Sequence, residues 1–267
     1  MSTLFGTVVR TEPLSRRMVR IVFGGEGLES FQPTEFTDQY VNALFIPEGA
    51  PYSVPFDLDA ARAEPRELQP KGRRESIRRW DPDAREVTID LVTHGDSGFA
   101  GRFAAHAEPG DRLQMAGPSG GYAPSPDADW HLLIGDESAL PAVGAALDAM
   151  PTGARVLVVA VVDGPEDEFE LTTMGDPEIV WVHRQGHVDE PDALVKVVSD
   201  LTFPTGVPHA FVHGEAGEVR AVRKHLIADR GVPRDGQSIS PYWRREHTDE
   251  QWREIKRQWL QESEADV

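Results

Sequence analysis

The sequence predicts a two-domain α+β protein, an antiparallel β-barrel or sandwich followed by an α/β domain with a parallel sheet. Three observations carry that expectation. Up to about Asp111 the chain is a series of short alternating or β-branched runs broken by Gly, Pro and Asp, with almost no helical spacing between them. After Trp130 the apolar runs become continuous, WHLLIG and VLVVAVV, as in strands buried on both faces. Between the two patterns lies Gly120–Asp129, GGYAPSPDAD, a loop of Gly, Pro and Asp that sets expected domains of 1–125 and 126–267.

In the first domain the expected strands are Thr7–Thr11, Met18–Phe23, Tyr40–Ile46, Glu75–Trp80, Val87–Thr93 and Arg112–Ala116. Pro47–Pro70 is Pro-rich and charged and reads as a long surface loop with room for one helical turn. In the second domain, strands Trp130–Gly135 and Val156–Val162 flank a helix over Ala139–Met150, a βαβ unit. Strands Ile179–His183 and Ala210–His213 and helices Asp192–Asp200 and Glu218–Arg230 extend it. Thr248 with Gln251 makes a capping box, and Trp252, Ile255 and Trp259 form one face of a terminal helix held to the body by its two tryptophans.

Composition narrows the function. Of the 267 residues, 45 are acidic and 27 basic, and the net charge of -18 repels nucleic acid and anionic lipid. Zero cysteines exclude disulfides, thiolate metal sites and a cysteine nucleophile, so redox chemistry needs a bound cofactor. The histidines show no metal-ligand spacing, and no GxSxG elbow, P-loop or kinase signature is present. The N-terminus lacks an apolar leader and nowhere do eighteen apolar residues run together, so a cytoplasmic protein without membrane insertion is expected.

Three stretches could carry chemistry. Lys71–Asp81, KGRRESIRRWD, is a cationic strand with one carboxylate, Glu75, at its centre. Alternation puts Arg73 and Glu75 on one face and Arg74 and Ser76 on the other. His94–Phe103, HGDSGFAGRF, runs from a strand through a glycine-rich turn into a helix, where the free amides of Ala100 and Gly101 could hold a diphosphate. Gly135–Pro141, GDESALP, is a strand-to-helix turn, yet Asp136 and Glu137 repel phosphate where a dinucleotide loop would be glycine-rich.

With Thr37–Val41, Pro109–Asp111, Gly117–Gly121, Gly214–Ala216 and Tyr242–Arg244, these residues resemble the siderophore-interacting proteins, a branch of the ferredoxin-NADP reductase-like flavoproteins. The resemblance covers nearly the whole chain. It implies an FAD-binding barrel and a Rossmann-like domain related to NAD(P)H-binding modules. Relatives carry Arg-x-Tyr-Thr or Arg-x-Tyr-Ser on the strand, with arginine on the diphosphate, tyrosine against the isoalloxazine and the hydroxyl on the flavin. Arg73 and Ser76 match that pattern and Glu75 replaces the tyrosine. Pro241 and Glu246 stand where relatives have glycine, so the local backbone is expected to differ.

The resemblance thus implies cofactor contacts from Arg73, Glu75, Ser76, His94, Gly98, Phe99, Ala100, Gly101, Phe103, Asp136, Glu137, Ser138, Tyr242 and Trp243. Arg244, Arg245 and Lys256 are expected to steer an anionic substrate. The implied activity is FAD-dependent reduction of a ferric siderophore to release iron(II), with electrons from NAD(P)H or a ferredoxin. The acidic turn and the terminal helix tilt the donor toward ferredoxin. An alternative keeps the fold without flavin reduction and uses Glu75 as an acid or base in a tailoring or cyclisation step on a small molecule of specialised metabolism. A third reading is a non-catalytic binder of a chelate or flavin.

Overall fold

The computed structural model describes residues 3–93, 95, 98–184 and 192–266. Two compact units, Met1–Ala123 and Pro124–Val267, meet inside the predicted loop. In the first, six antiparallel strands close a barrel in the order β1-β2-β5-β4-β3-β6: β1 (Phe5–Pro13), β2 (Met18–Gly24), β3 (Tyr40–Phe45), β4 (Lys71–Asp81), β5 (Glu86–Val92) and β6 (Arg112–Ser119). Alternate residues fill it, among them Ile21, Phe23, Val41, Ala43, Phe45, Ile77, Ile89, Leu91 and Met115. β4 begins at Lys71, four residues before the predicted start, because Gly72 and the arginines carry little strand propensity and are held by pairing with β3.

The Pro47–Pro70 segment contains α1 (Leu58–Arg62), whose first turn is capped by the Asp57 carboxylate. It is clamped to the barrel rather than merely draped on it. The Gln114 amide accepts from Phe56 N at 2.8 Å and donates to Phe56 O at 3.0 Å, while Phe56 and Ala61 pack on Leu44. α2 (Phe99–His106) packs onto the barrel core through Phe103, whose ring meets Phe23 and Phe45 at centroid distances of 6.3 and 5.7 Å.

The second unit is a five-stranded parallel sheet in the order β11-β10-β7-β8-β9: β7 (Trp130–Asp136), β8 (Arg155–Val162), β9 (Asp176–His183), β10 (Pro208–Glu215) and β11 (Ser238–Trp243). Its helices are α3 (Leu140–Asp148), α4 (Asp192–Asp200), α5 (Ala216–Lys224) and α6 (Asp249–Glu264). The predicted helix to Arg230 ends its α-helical part at Lys224 and finishes as a π-turn over His225–Asp229. β11 is an edge strand that the sequence did not reveal, its short polar run interrupted by Pro241. α6 opens with the predicted capping box and buries Trp252 and Trp259 against Ala216. It also binds the β11 edge: Trp252 Nε1 donates to Tyr242 O at 3.1 Å and Lys256 Nζ to Pro241 O at 2.7 Å. Among the described residues no helix is long and apolar enough to cross a membrane.

Candidate functional site

In the barrel unit the register of β4 against β3 fixes which side chains share a face. Arg73 lies opposite Ala43 and Glu75 opposite Val41, both buried in the barrel, whereas Arg74 and Ser76 lie opposite Asn42 and Tyr40. Arg73 and Glu75 therefore share the core-side face, and Ser76 is on the other, where the Arg74 guanidinium stacks on Tyr40 at 5.6 Å. The Arg73 guanidinium lies 5.7 Å from the ring of Phe99, the first residue of α2. The strand arginine and the helix N-terminus are thus neighbours.

That N-terminus begins at a glycine. Gly98, its N-cap, has φ +70° and, as a glycine, offers no side chain of its own to cap the helix. The amides of the first turn have no intrahelical acceptor. Among the described residues, a Cβ at Gly98 or at Gly95 would find nothing within 4 Å. An arginine beside first-turn amides is the donor set a diphosphate needs, and the residues present fit the diphosphate of FAD. Arg73, Gly98, Phe99, Ala100 and Gly101 would hold it. Phe103 differs from expectation, because its ring is taken up between Phe23 and Phe45 and anchors α2 instead of facing a ligand. His94 lies outside the described residues.

In the second unit the carboxyl ends of β7, β9 and β10 converge on an ion network that the sequence reading missed. Arg184, one residue past β9, bonds Asp136 at 3.2 Å, Glu137 at 2.8 Å and Glu218 at 2.8 Å. Arg245 bonds Glu218 at 2.5 Å and lies 3.6 Å from Glu215. Asp136 is further occupied: Oδ1 accepts from the amide and hydroxyl of Ser138, and Oδ2 from Glu215 N at 2.9 Å and Trp243 Nε1 at 2.7 Å. Burial raises the Glu137 pKa, Asp136 adds to the rise and Arg184 opposes it. Burial works against the Arg184 charge, but Asp136, Glu218 and Glu137 hold its pKa above the usual value.

These contacts redefine several expected roles. Asp136, Glu137 and Ser138 satisfy one another and the two arginines. The space beside Gly214 that would let a ligand approach the backbone is filled by Asp136, whose Oδ2 is 2.7 Å from where a Cβ would stand, and Gly135 is closed by Ala139 at 3.0 Å. The turn is filled by its own side chains and lacks the glycine-rich opening of a dinucleotide loop. Arg245 and Lys256 are bonded to Glu218 and to the Pro241 carbonyl, so neither projects as a steering cation; Arg244 is half-buried in the turn that follows β11. Tyr242 packs on His213 at 4.7 Å and Trp243 spends its indole N–H on Asp136. Glu246 has φ +60°, so the turn keeps a glycine-type conformation despite the side chain. His213 is sandwiched between Phe211 and Tyr242, pairs Nε2 with Ser238 Oγ at 2.9 Å, and is driven down to a pKa of about 3 by burial and then by Lys256.

Comparison with known proteins agrees with both halves of this architecture. Residues 7–122 match the siderophore-interacting FAD-binding domain and residues 128–246 match the siderophore-interacting protein model. The ferric vibriobactin reductase ViuB of Vibrio cholerae is 30% identical, over 92% of this chain and 91% of its own. The NADPH-dependent ferric-chelate reductase of Escherichia coli is 29% identical, over 89% and 91%. The crystal structure of the siderophore-interacting protein SipS from Aeromonas hydrophila superposes with a TM-score of 0.79 at 26% identity, covering 96% of this chain and 97% of that one. With a six-stranded barrel, a parallel α/β unit and these matches along its length, the chain belongs to the siderophore-interacting protein family.

Proposed function

We propose that the chain reduces ferric siderophores, using FAD held at Arg73 and the N-terminus of α2, and releases the metal as iron(II). The observation that carries this reading is the glycine-led start of α2 beside the Arg73 guanidinium, within the residues that match an FAD-binding domain. Two similar chains, one named a ferric vibriobactin reductase and the other a ferric-chelate reductase, support the substrate class. When bound, FAD accepts electrons in pairs and delivers them singly. Iron(III) favours hard oxygen donors, so one electron per ion loosens the chelate without breaking the ligand. The protein's own part is to fix the diphosphate through Arg73 and the free amides.

The second unit bears on the choice of donor. A ferredoxin is the reading that the Asp136–Glu137 turn supports, since that turn is filled by its own side chains and arginines. NADPH is the second reading, favoured by the name of the Escherichia coli relative. The alternative of a non-redox tailoring enzyme with Glu75 as acid or base draws no support from these relatives. Purified protein loaded with FAD, mixed anaerobically with each donor and then with a ferric catecholate or hydroxamate, tests the reading. Bleaching of the flavin by a donor, followed by reoxidation and iron(II) formation on adding the chelate, is expected. A protein that takes up no FAD overturns it.

A further inference from the structure

We propose that His209 is a proton-operated catch on the segment by which the chain enters the second unit: neutral, it holds Ser125, and protonated, it lets that segment go. The second unit begins at Pro124, and the Ser125 backbone N–H donates to His209 Nδ1 at 3.1 Å. A ring nitrogen that accepts a hydrogen bond carries no proton, so this contact exists only for the neutral imidazole. Protonation places a second N–H against that of Ser125, and the acceptor is gone. Ser125 in turn organises the residues behind it, its carbonyl accepting from Ala128 N and its hydroxyl from Asp127 N, both at 3.3 Å. Asp129 then fastens the far end of the turn by accepting from Val207 N at 2.7 Å.

The surroundings set the order of protonation. His209 on β10 lies beside His131 on β7 in parallel register, with ring centroids 6.1 Å apart. His131 is buried, and its Nδ1 has no hydrogen-bond partner among the described residues. β8 places Val156 next to His131, while the turn before β11 contributes the Gly236 backbone, which hydrogen-bonds the His209 ring, and Gln237, which is engaged by Ala210 N and Pro208 O. Burial lowers the pKa of both rings, the Gly236 bond partly offsets this at His209, and His209 lowers His131 further. His209 therefore takes the proton first, and its charge keeps His131 neutral.

Amide exchange of the full chain, resolved by NMR and divided by the intrinsic rate at each pH, tests the catch. Ser125 should lose about tenfold in protection between about pH 7.5 and pH 5, the worth of one ordinary hydrogen bond, in step with titration of the His209 ring. The Val159 amide, in the centre of the sheet, should keep its protection over the same range. In His209→Gln the side-chain oxygen can accept from Ser125 at every pH, and the pH dependence should vanish. In His209→Phe Ser125 should exchange at the acid-state level throughout. The wild-type titration decides the matter by itself if a variant fails to fold. Ser125 protection that stays constant while His209 titrates, a His209 ring that stays neutral to about pH 5, or an equal loss in His209→Gln overturns the proposal.

Discussion

The indole of Trp243 donates to the Asp136 carboxylate at 2.7 Å, joining the last residues of β11 and β7 across the intervening β10. The same oxygen accepts Glu215 N from β10, so one buried carboxylate ties three strand ends together. Trp243→Phe removes one hydrogen bond to a charged group and is expected to destabilise the second unit by about 1.5–3 kcal/mol. Asp136→Leu also takes one of its three carboxylates from Arg184 and the side-chain acceptor from Glu215 N, and should be worse. Urea unfolding followed by tryptophan fluorescence measures both.

Arg184→Met strips three carboxylates of their shared cation. Removal of one partner from such a buried cluster costs about 3–5 kcal/mol. The pH dependence has a definite sign. The raised Glu137 pKa means that the folded chain holds a proton that the unfolded chain releases, so stability falls as pH rises through that window. Without Arg184 the pKa moves further up. The variant should recover more stability than wild type when unfolding is measured at pH 5 rather than pH 8.

His213 acts in the opposite sense. Its pKa of about 3 lies below the unfolded value of about 6.5. The stabilisation is complete above the unfolded value and is lost as pH falls toward the folded one, because the unfolded chain binds a proton that the folded chain refuses. Between pH 7 and pH 5 this group should account for about 2 kcal/mol of lost stability. His213→Phe should flatten that part of the acid limb, read as the change in urea midpoint across the two pH values.

FAD affinity should respond to the cradle residues separately. Arg73→Met removes charge-assisted bonds to the diphosphate, about 1.5–3 kcal/mol, and should raise the Kd ten- to a hundredfold. Gly98→Ala places a methyl in the open space and strains a residue at φ +70°, so it should also weaken binding. Quenching of flavin fluorescence on titration gives both constants.

Glu246 is a residue with a side chain at φ +60°. Glu246→Gly should stabilise the second unit by about 0.5–1 kcal/mol by relieving that strain. A thermal shift of a few degrees upward, with unchanged FAD binding, is the expected outcome.

The barrel strands and the βαβ unit were legible because their signals are local: Met18–Phe23 and Val156–Val162 need no knowledge of neighbours. Arg73 and the glycine turn were singled out from the family pattern, and the structure places Arg73 5.7 Å from the ring of Phe99. Arg184 was not. It follows the apolar run of β9 as an ordinary strand-end arginine, and only the parallel register brings it to Glu137 and Glu218, 47 and 34 residues away. Arg245 and Lys256 were read as free cations because sequence shows charge but not the carboxylate or carbonyl that engages it. β11 escaped because Pro241 argues against a strand everywhere except at an edge.

That edge carries one more consequence. An outermost strand normally offers its unpaired amides and carbonyls as a template on which a foreign chain can assemble. Here Pro241 contributes no amide hydrogen, and the carbonyls of Pro241 and Tyr242 already accept from Lys256 and Trp252. Loss of the terminal helix would uncover those acceptors, and with them a seam open to intermolecular pairing and precipitation.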